Sequence, residues 1–466
     1  MPGNVIIVGA GISGLSAAYD LSQAGIPATV FEKQPRVGGV IDTRVAGGCT
    51  LECGPDSFLS AKPDAYALIQ ELGFEDQVIG SNDHQRTTYI WKQGRLVPLP
   101  EGVMMIVPSR AMPIVKSPLL GWGTKLRMGL EYFRKPEGKE NRRTGDHGTG
   151  DRSVAEFVID HFGQETLDYL AEPLLSGVYG GDPAKLSIAS VLPRFLEMEA
   201  TYGSLVKGVL AARKKAPQGP AAPLFRTVRT GLSAIVNALA SRTEVAHAEV
   251  EAIERGSSSA GGGFRLKVAG EWVLASHVIL ACPAWAAAKL VSGMDGALGE
   301  SLGAIDYSSS VTLSLIYRTG DFDGMRAGFG FLVPKKERER LAACTFVGTK
   351  FSHRVPEESI ALRCFFGGTG DEAVLGESDE NLVAIARDEL RRILSLTAAP
   401  VDQAIARWPR SMAQYTVGHA RRIQEIRARA ATIPGLYLAG NAYEGIGIPD
   451  CIRTGRAAAK GIIGRS

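Results

Sequence analysis

The pattern of hydrophobic and polar positions at the start of the chain predicts a strand, a helix and a second strand. Residues 5–8, VIIV, form a short uninterrupted apolar run of the kind that a parallel strand buried on both faces needs. Apolar residues then recur at helical spacing over residues 15–21, Gly25 ends the helix, and residues 28–31 form a second apolar run. This order is typical of the first unit of an α/β fold.

Farther along the chain, the patterns predict strands that pair with their neighbours in sequence. Residues 83–100 are expected to form a β-hairpin with Gly94 in its turn. Three stretches, at 248–254, 264–268 and 272–280, predict a meander inserted before the last parallel strand. Residues 307–370 contain VTLSLIY, GFGFLV, ACTFVG and ALRCFF, and they predict an antiparallel sheet.

Capping signals and helical spacing place several helices. A helix is expected at 64–72, Ser153 with Glu156 forms a capping box that opens another, and Ser378 caps a long helix. Residues 435–462 predict a strand, a glycine-rich loop and a terminal helix. That helix N-terminus would present a positive dipole to a bound anion.

Residues 101–135 combine an apolar, aromatic face with a basic face. Such a segment suits either an anionic membrane surface or a protein core, and amphipathicity alone leaves both interpretations open. The segments at 136–152 and 213–223 contain few apolar residues and are predicted to be linkers.

A GxGxxG motif joins the first strand to the first helix. Gly9 allows a tight turn, Gly11 has no side chain to hold the backbone away from a pyrophosphate, and Gly14 lets the helix press against the strand. The helix N-terminus that follows is an anion site. Glu32 ends the second strand, where a carboxylate accepts hydrogen bonds from a ribose and repels a 2′-phosphate. Together these features predict a dinucleotide site.

Composition excludes several other classes of protein. The 466 residues are 45% hydrophobic and 22% charged with a net charge of +3, so no strong field favours nucleic acid. Six scattered cysteines favour reduced, mostly buried thiols, and no histidine or cysteine pattern supports a metal site. No GxSxG motif indicates a serine hydrolase. The first strand begins at Val5, so we expect no targeting segment and a cytoplasmic protein.

Just after the acidic strand, residues 36–39 form an RxGG motif. This stretch resembles the extended fingerprint of FAD proteins with the glutathione-reductase type of fold, in their amine-oxidase-like branch. The resemblance implies FAD rather than NAD, a Rossmann-like α/β FAD-binding domain, an α+β substrate domain and a helical subdomain. The cofactor-binding residues that it implies are Gly9, Ala10, Gly11, Ile12, Ser13, Gly14, Glu32, Lys33, Arg36, Gly38, Gly39, Gly54, Pro55, Asp56, Ser57, Val250, Cys282, Gly440, Asn441, Gly447, Ile448 and Pro449.

The expected domains are discontinuous. Residues 1–82, 224–290 and 426–466 are predicted to form the FAD-binding domain. Residues 83–100 and 291–425 are predicted to form the α+β substrate domain. Residues 101–223 are predicted to form the helical subdomain, a candidate for contact with a membrane.

Five stretches of the chain resemble the bacterial FAD-dependent protoporphyrinogen and coproporphyrinogen oxidases. They are the N-terminal fingerprint, ECGPDSF at 52–58, SGVYGGDPAKLSI at 176–188, GFGFLVP at 328–334 and GNAYEGIGIPDCIRTG at 440–455. Asn441 and Cys451 fit this pattern rather than the wider amine-oxidase pattern. The resemblance implies a six-electron oxidation of a porphyrinogen in heme biosynthesis, with O2 as the acceptor and peroxide as its product.

The same resemblance implies three substrate residues and no catalytic base. Arg86 would pair with a substrate propionate, Gly177 would let the tetrapyrrole lie close, and Phe365 would lie beside its rings. The cofactor would accept the hydride while the pocket orients the macrocycle, so no protein acid or base is named. Coproporphyrinogen III, with four propionates, is favoured over protoporphyrinogen IX, with two.

The resemblance also sets the expected partners and leaves alternatives open. Contacts with the inner face of a membrane and with other enzymes of the heme pathway are compatible with it. A flavin amine oxidase or a carotenoid desaturase would share the FAD domain but use another pocket, and some amine oxidases bind flavin covalently through cysteine. Cys451 is more simply interpreted as a buried thiol. A non-enzymatic lipid carrier of the same fold would not need to retain flavin.

Overall fold

The structure is a computed structural model that describes residues 4–464 except 105, 137–150, 216–221, 257–262, 323 and 325. Its strands are β1 Val5–Val8, β2 Ala28–Glu32, β3 Thr43–Ala46, β4 Cys49–Glu52, β5 Phe58–Leu59, β6 Val78–Gly80, β7 Thr88–Lys92, β8 Arg95–Pro98, β9 Val103–Met104, β10 Val107–Pro108, β11 Phe225–Val228, β12 Glu244–His247, β13 Val250–Arg255, β14 Phe264–Val268, β15 Glu271–Ala275, β16 His277–Leu280, β17 Tyr307–Arg318, β18 Gly330–Leu332, β19 Ala343–Phe346, β20 Ser359–Gly367, β21 Asp402–Ala413 and β22 Leu436–Leu438.

The helices connect these strands or cover their faces. They are α1 Ile12–Gln23, α2 Asp64–Leu72, α3 Ala111–Lys116, α4 Trp122–Glu131, α5 Val154–Phe162, α6 Gln164–Thr166, α7 Glu172–Tyr179, α8 Ile188–Val191, α9 Pro193–Tyr202, α10 Leu205–Lys215, α11 Ser233–Ala240, α12 Ala284–Val291, α13 Gly296–Gly303, α14 Val347–Lys350, α15 Asp379–Leu394, α16 His419–Ala431 and α17 Ile448–Ile463. A π turn, Leu167–Ala171, joins α6 to α7.

The first apolar run lies at the centre of a parallel sheet. All four residues of β1 are buried, and the strand order of the sheet is β12-β2-β1-β16-β22. Each neighbouring pair runs parallel. Helix α17 crosses α1 at Gly455, where an added Cβ would collide with the backbone of Ser13. This close approach brings the end of the chain onto its beginning, and the α/β fold is confirmed.

A second sheet has the strand order β21-β17-β20-β19-β18-β7-β8. One face is covered by α15, whose buried residues Leu382, Ala386 and Leu390 pack against the apolar residues of β17 and β20. Ser378 caps α15 by accepting a hydrogen bond from the Asn381 N–H, as its sequence predicts. The opposite face carries polar and aromatic residues of the candidate site.

Most of the predicted elements are confirmed. The helix at Asp64–Leu72, the hairpin with Gly94 in its turn and the capping box of Ser153 and Glu156 are all present. The six cysteines are free thiols, and all except Cys282 are buried.

Several predicted boundaries were wrong. The stretch at 272–280 is two strands, because β15 pairs antiparallel with β14 whereas β16 pairs parallel with β1. The chain changes direction at Ser276, whose N–H donates to the Asn4 carbonyl. The antiparallel sheet predicted at 307–370 is confirmed, since β17, β20, β19 and β18 pair antiparallel, and β7 extends it by pairing parallel with β18. Helix α10 continues through Lys215 into the predicted linker at 213–223. The rest of that linker and the one at 136–152 lie largely outside the described residues.

Candidate active site

The predicted dinucleotide residues meet at one edge of the parallel sheet. Strands β1, β2, β16 and β22 all end at this edge, and the GxGxxG turn, Glu32, Cys282 and Gly440 follow or complete those strands. In open parallel sheets, ligands bind beyond the carboxyl ends of the strands. Gly9 donates its N–H to the Phe31 carbonyl (2.8 Å), so the turn is fixed to β2.

The N-terminus of α1 is suited to an anion. Gly11 is its N-cap, no side chain caps it, and no acidic residue lies in its first turn. A Cβ built on Gly11 would meet no atom within 4 Å, whereas one built on Gly14 would collide with the Gly9 carbonyl oxygen. Gly11 therefore borders open space and Gly14 is a packing residue, as their positions in the motif predict. Ala10, Ile12 and Ser13 complete this turn and are buried or nearly so.

Glu32 already holds the phosphate-binding turn in place. Its carboxylate accepts hydrogen bonds from the Ala10 N–H (2.8 Å) and from the Gln34 N–H (2.8 Å). Lys33 points outward and pairs with Glu249 (3.5 Å). The next residue after Glu249, Val250, begins β13. The ribose and adenine roles of Glu32 and Val250 stay predictions.

The RxGG segment closes over the GxGxxG turn. The Gly38 N–H donates to the Ala10 carbonyl (2.8 Å), and Gly11 and Gly38 form an isolated bridge. Arg36 donates to the carbonyls of Val37 (3.2 Å), Gly39 (2.6 Å) and Ile41 (3.1 Å). This arginine therefore shapes the turn through main-chain contacts.

The loop of residues 54–57, here called the 54–57 loop, is held by two cations, Lys350 at the end of α14 and Arg363 on β20. Asp56 accepts hydrogen bonds from Lys350 Nζ at 2.8 and 2.9 Å, and Arg363 Nη1 lies 3.8 Å from the same carboxylate. Burial alone would raise the pKa of Asp56, but Lys350 and Arg363 outweigh it and hold the pKa well below its usual range. Ser57 donates to Asp56 (2.6 Å). Pro55 lies between this carboxylate and Gly54.

The C-terminal segment completes the edge. Asn441 donates to the Ser411 carbonyl (2.9 Å), its own carbonyl accepts from Tyr415 (2.7 Å), and Gly440 donates to Thr454 (3.2 Å). Gly447 is the N-cap of α17, and Ile448 and Pro449 form its first turn.

The dipole of α17 is modified by a charge that the sequence interpretation overlooked. Asp450 lies in the first turn of α17, and Lys62 (2.5 Å) and Arg453 (3.7 Å) pair with its carboxylate. An unpaired carboxylate in this turn would cancel part of the positive helix dipole and so weaken the binding of a second anion. Lys62 and Arg453 neutralise the charge of Asp450. Burial raises the pKa of the Cys451 thiol to about 12, so the thiolate form is scarce and the buried-thiol interpretation holds.

Two of the three predicted substrate residues lie at one level of the second sheet. Phe365 pairs with Ala343 across β19, and Ala343 pairs with Leu332 of β18. Gly177, on α7, faces Leu332, whose Cδ2 is 3.4 Å from the position of an added Cβ. The aromatic ring and the glycine therefore border the same apolar face.

Arg86 lies outside this sheet, just before β7 begins. It precedes β7 rather than belonging to the hairpin, its side chain is 53% exposed, and its guanidinium is 4.0 Å from Asp83. Ile90 is level with Leu332, two residues after β7 begins at Thr88, and Arg86 lies two residues before that start. An arginine at this rim can reach the periphery of a large ligand rather than its centre.

Sequence analysis missed Arg363, Lys350 and Lys62. One signal was available for Arg363, because it is the lone charge within the apolar strand ALRCFF, and a charged side chain inside a strand is rarely buried without a partner. The partners of Lys350 and Lys62 lie hundreds of residues away, at Asp56 and Asp450. No local pattern predicts such pairs.

A separate acidic cluster in the helical region is satisfied by cations. His161 lies between Glu131 (2.9 Å) and Glu199 (3.1 Å), and Asp160 is adjacent. Arg134 and Arg152 pair with Asp160, Arg152 also pairs with Glu199, and Glu131 accepts hydrogen bonds from Ser204 (2.8 Å) and from the Leu205 N–H (2.7 Å). The group therefore forms an ion-pair network that joins α4, α5 and α9.

Comparison with known proteins agrees with this geometry. The family described as "Flavin containing amine oxidoreductase" matches residues 12–463. The chain is 33% identical to the coproporphyrinogen III oxidase of Bacillus subtilis, over 98% of this chain and 97% of that protein. It is 30% identical to the protein of the same name from Staphylococcus aureus, over 99% of each. A crystal structure described as a putative protoporphyrinogen oxidase from Exiguobacterium sp. 255-15 superposes over all of both chains with a TM-score of 0.86 and 30% identity.

The residues at the sheet edge suit the cofactor that this family carries. Space above Gly11, an uncapped helix N-terminus and the carboxylate of Glu32 are the features that an FAD pyrophosphate and ribose require. The cofactor is FAD, and the chain belongs to the flavin-containing amine oxidoreductase family.

Proposed function

We propose that this protein is an FAD-dependent oxidase that converts a porphyrinogen to a porphyrin in heme biosynthesis, and that coproporphyrinogen III is its substrate. The observation that carries the proposal is the likeness to a coproporphyrinogen III oxidase over almost the whole of both chains. The placement of Phe365 and Gly177 on one apolar face supports it, because a flat macrocycle needs an unobstructed apolar surface.

The chain's residues bind and orient rather than transfer protons. When bound, FAD supplies the two-electron acceptor that O2 regenerates, and six electrons require three rounds. Phe365 offers a ring face, Gly177 leaves room, and Arg86 offers a guanidinium at the rim for a carboxylate. We assign no catalytic base, because the pyrrole protons can leave to solvent.

Substrate choice depends on the carboxylates. Coproporphyrinogen III carries four propionates and protoporphyrinogen IX carries two, so a basic rim favours the former. Arg86 has only a weak partner in Asp83, and a half-exposed guanidinium can exchange that contact for a propionate. This supports coproporphyrinogen III.

Anaerobic bleaching of the flavin tests the activity. Each porphyrinogen is mixed with the yellow protein, and porphyrin fluorescence is read after air is admitted. We expect coproporphyrinogen III to bleach the flavin faster than protoporphyrinogen IX does. Bleaching by an amine and by neither porphyrinogen would instead favour the amine-oxidase alternative.

Replacing Arg86 with alanine tests the rim contact. We expect the concentration of coproporphyrinogen III for half-maximal bleaching to rise about tenfold, because a charge-assisted hydrogen bond is lost. The matched control is Arg95→Ala, an exposed arginine at the turn of the hairpin that follows Arg86. Equal effects of the two substitutions, with FAD fully bound, would remove Arg86 from the site.

We also propose that the surface of α3, α4 and residues 132–135, here called the α3–α4 surface, contacts an anionic membrane. Its exposed apolar side chains are Met112, Val115, Trp122, Leu126, Leu130, Tyr132 and Phe133. Trp122 is 72% exposed and Phe133 is 70% exposed. The basic residues of this surface are Lys116, Lys125, Arg127, Arg134 and Lys135, and the acid Glu131 is buried.

This arrangement reverses the usual pattern of an amphipathic helix. Trp122, Leu126 and Leu130 form a stripe at helical spacing, yet they face outward, while Met128 is directed into the core. A contiguous apolar patch with basic residues around it is typical of contact with an anionic interface. None of the described helices is long and apolar enough to cross a bilayer.

Cosedimentation with lipid vesicles tests this contact. We expect binding to vesicles that contain phosphatidylglycerol and weaker binding to pure phosphatidylcholine. A Trp122→Ala, Phe133→Ala double variant should lose at least about tenfold in binding, because two large apolar side chains no longer enter the lipid. Leu274→Ala is the control, since Leu274 is an exposed apolar residue on β15, outside the α3–α4 surface. Self-association of the wild type without vesicle binding would identify the surface as an interface between copies.

A further inference from the structure

We propose that Arg363 is a positioning residue that fixes the 54–57 loop against the substrate-bearing sheet, so that the loop's approach to FAD is set by the strand that carries Phe365. This inference rests on the proposed function, because the effect requires FAD bound beside that loop and substrate beside that strand. Arg363 is placed at the junction by its position on β20.

The first support is the set of contacts that Arg363 makes with the loop. Its Nη2 donates to the Gly54 carbonyl, and its Nη1 lies 3.8 Å from the Asp56 carboxylate. The guanidinium therefore contacts the loop at two points, through the main chain and through a charge. The Arg363 side chain is only 5% exposed. Such a two-point contact in a buried place leaves the loop little freedom.

The second support is the position of Phe365 relative to this guanidinium. In a strand, residues two apart point to the same face, so Arg363 and Phe365 share the face turned toward the candidate site. The guanidinium carbon of Arg363 lies 4.7 Å from the centre of the Phe365 ring. One planar cation thus contacts the flavin-side loop and the substrate-side ring.

The third support is that the second sheet also holds Cys53, the residue just before the loop. Gly54 packs against the Val40 carbonyl with no room for a Cβ, and Cys53 is tied at its N–H to the Asp42 carbonyl (2.7 Å). The Cys53 carbonyl accepts from Thr312 (2.5 Å) and from Trp408 (2.8 Å), which belong to the second sheet. Arg363 extends this series of cross-sheet contacts to Gly54 and Asp56.

The shape of the arginine matters as well as its charge. A lysine would keep the positive charge beside Asp56, but it lacks the planar guanidinium that donates to the Gly54 carbonyl while its face lies over the Phe365 ring. Lys350 already supplies a second cation to Asp56, and no contact between Lys350 and the Gly54 carbonyl is among its described hydrogen bonds. The chain therefore offers its own control for charge without shape.

The test compares Arg363→Lys, Arg363→Met and Lys350→Met in the full chain. FAD affinity is measured by titration of the FAD-free protein, and hydrogen–deuterium exchange is measured in a peptide that spans residues 53–57. We expect both Arg363 variants to bind FAD roughly tenfold more weakly or worse, and to exchange faster in that peptide even with FAD at saturation. Lys350→Met should change FAD affinity less than either Arg363 variant does.

The opposite pattern would overturn the proposal. If Arg363→Lys matches the wild type while Lys350→Met and Arg363→Met are equally impaired, charge beside Asp56 is sufficient and positioning plays no part. If Arg363→Met does not fold, the comparison of Arg363→Lys with the wild type still decides. These readouts need no porphyrinogen, so a chain that oxidises no porphyrinogen would refute the proposed function without affecting this result.

Discussion

Replacing Gly14 with alanine is expected to destabilise the FAD-free protein by about 3 kcal/mol and to abolish stable FAD binding. An alanine Cβ would overlap the Gly9 carbonyl oxygen and lie 3.2 Å from the Ala281 Cβ, so α1 would have to move away from β1 and β16. Both strands are central in the parallel sheet, and neither can follow the helix without breaking its pairing. Urea denaturation of the FAD-free variant, followed by circular dichroism, measures this loss.

Gly11→Ala is the matched control, because Gly11 lies in the same motif, three residues before Gly14. We expect it to affect FAD binding rather than the stability of the FAD-free protein. Gly11 has a φ of −70° and no atom within 4 Å of an added Cβ, so alanine costs the FAD-free fold little. A methyl group in the space for a pyrophosphate should weaken FAD binding by roughly tenfold to a hundredfold. Equal denaturation midpoints for Gly11→Ala and Gly14→Ala would contradict this separation of roles.

Replacing Arg354 with methionine should cost about 3–5 kcal/mol of stability, because it leaves a buried carboxylate without its cation. Arg354 Nη2 donates to Glu52 (2.8 Å) and to Thr227 (2.6 Å), and both ionic side chains are 1% exposed. Glu52 also accepts from the Leu232 N–H (2.8 Å) and from Thr43 (2.7 Å). The pair therefore joins β4, β11 and the start of α11.

The loss should depend on pH in a defined direction. Burial raises the pKa of Glu52, and Arg354 opposes that rise, so removing Arg354 should raise the pKa further. A carboxyl whose pKa is higher in the folded state contributes stability at low pH and loses it as pH rises. The deficit of Arg354→Met relative to wild type should thus be larger at about pH 8 than at about pH 5.5.

A second substitution separates the charge from the packing. Adding Glu52→Gln to Arg354→Met removes the uncompensated carboxylate, so the double variant should be more stable than Arg354→Met alone. It should also lose most of the pH dependence. A double variant that is no more stable than the single one would assign the cost to lost packing of the arginine side chain.

The elements that sequence analysis predicted correctly are those with strong local signals. The first strand, helix and strand carry apolar periodicity and a glycine motif, and the capping box of Ser153 is a complete local pattern. Strand β12, EVAH, was not predicted, because two of its four residues are polar and its strand conformation depends on pairing with β2. Strand β21 was missed for a similar reason, since Pro409 and two arginines, Arg407 and Arg410, interrupt its pattern.

The candidate site divides in the same way. The glycines and the acid predicted to bind a dinucleotide all lie within the first strand–helix–strand unit, so a local sequence pattern predicts their positions. The cations that hold the 54–57 loop come from residues 350 and 363, and only the sheet brings them near Asp56. The roles assigned to Arg86, Gly177, Phe365 and the FAD contacts, and the domain boundaries, stay predictions.

The order of the parallel sheet has a consequence for synthesis of the protein. The glycine turn leaves the ribosome long before Ala281, against which Gly9 packs, and before α17, which crosses α1. A nascent chain therefore carries α1 without α17, and β1 with β2 but without β16, until those later segments have been translated. Contacts between such distant segments slow folding. The predicted FAD site is therefore complete only once α17 has been translated.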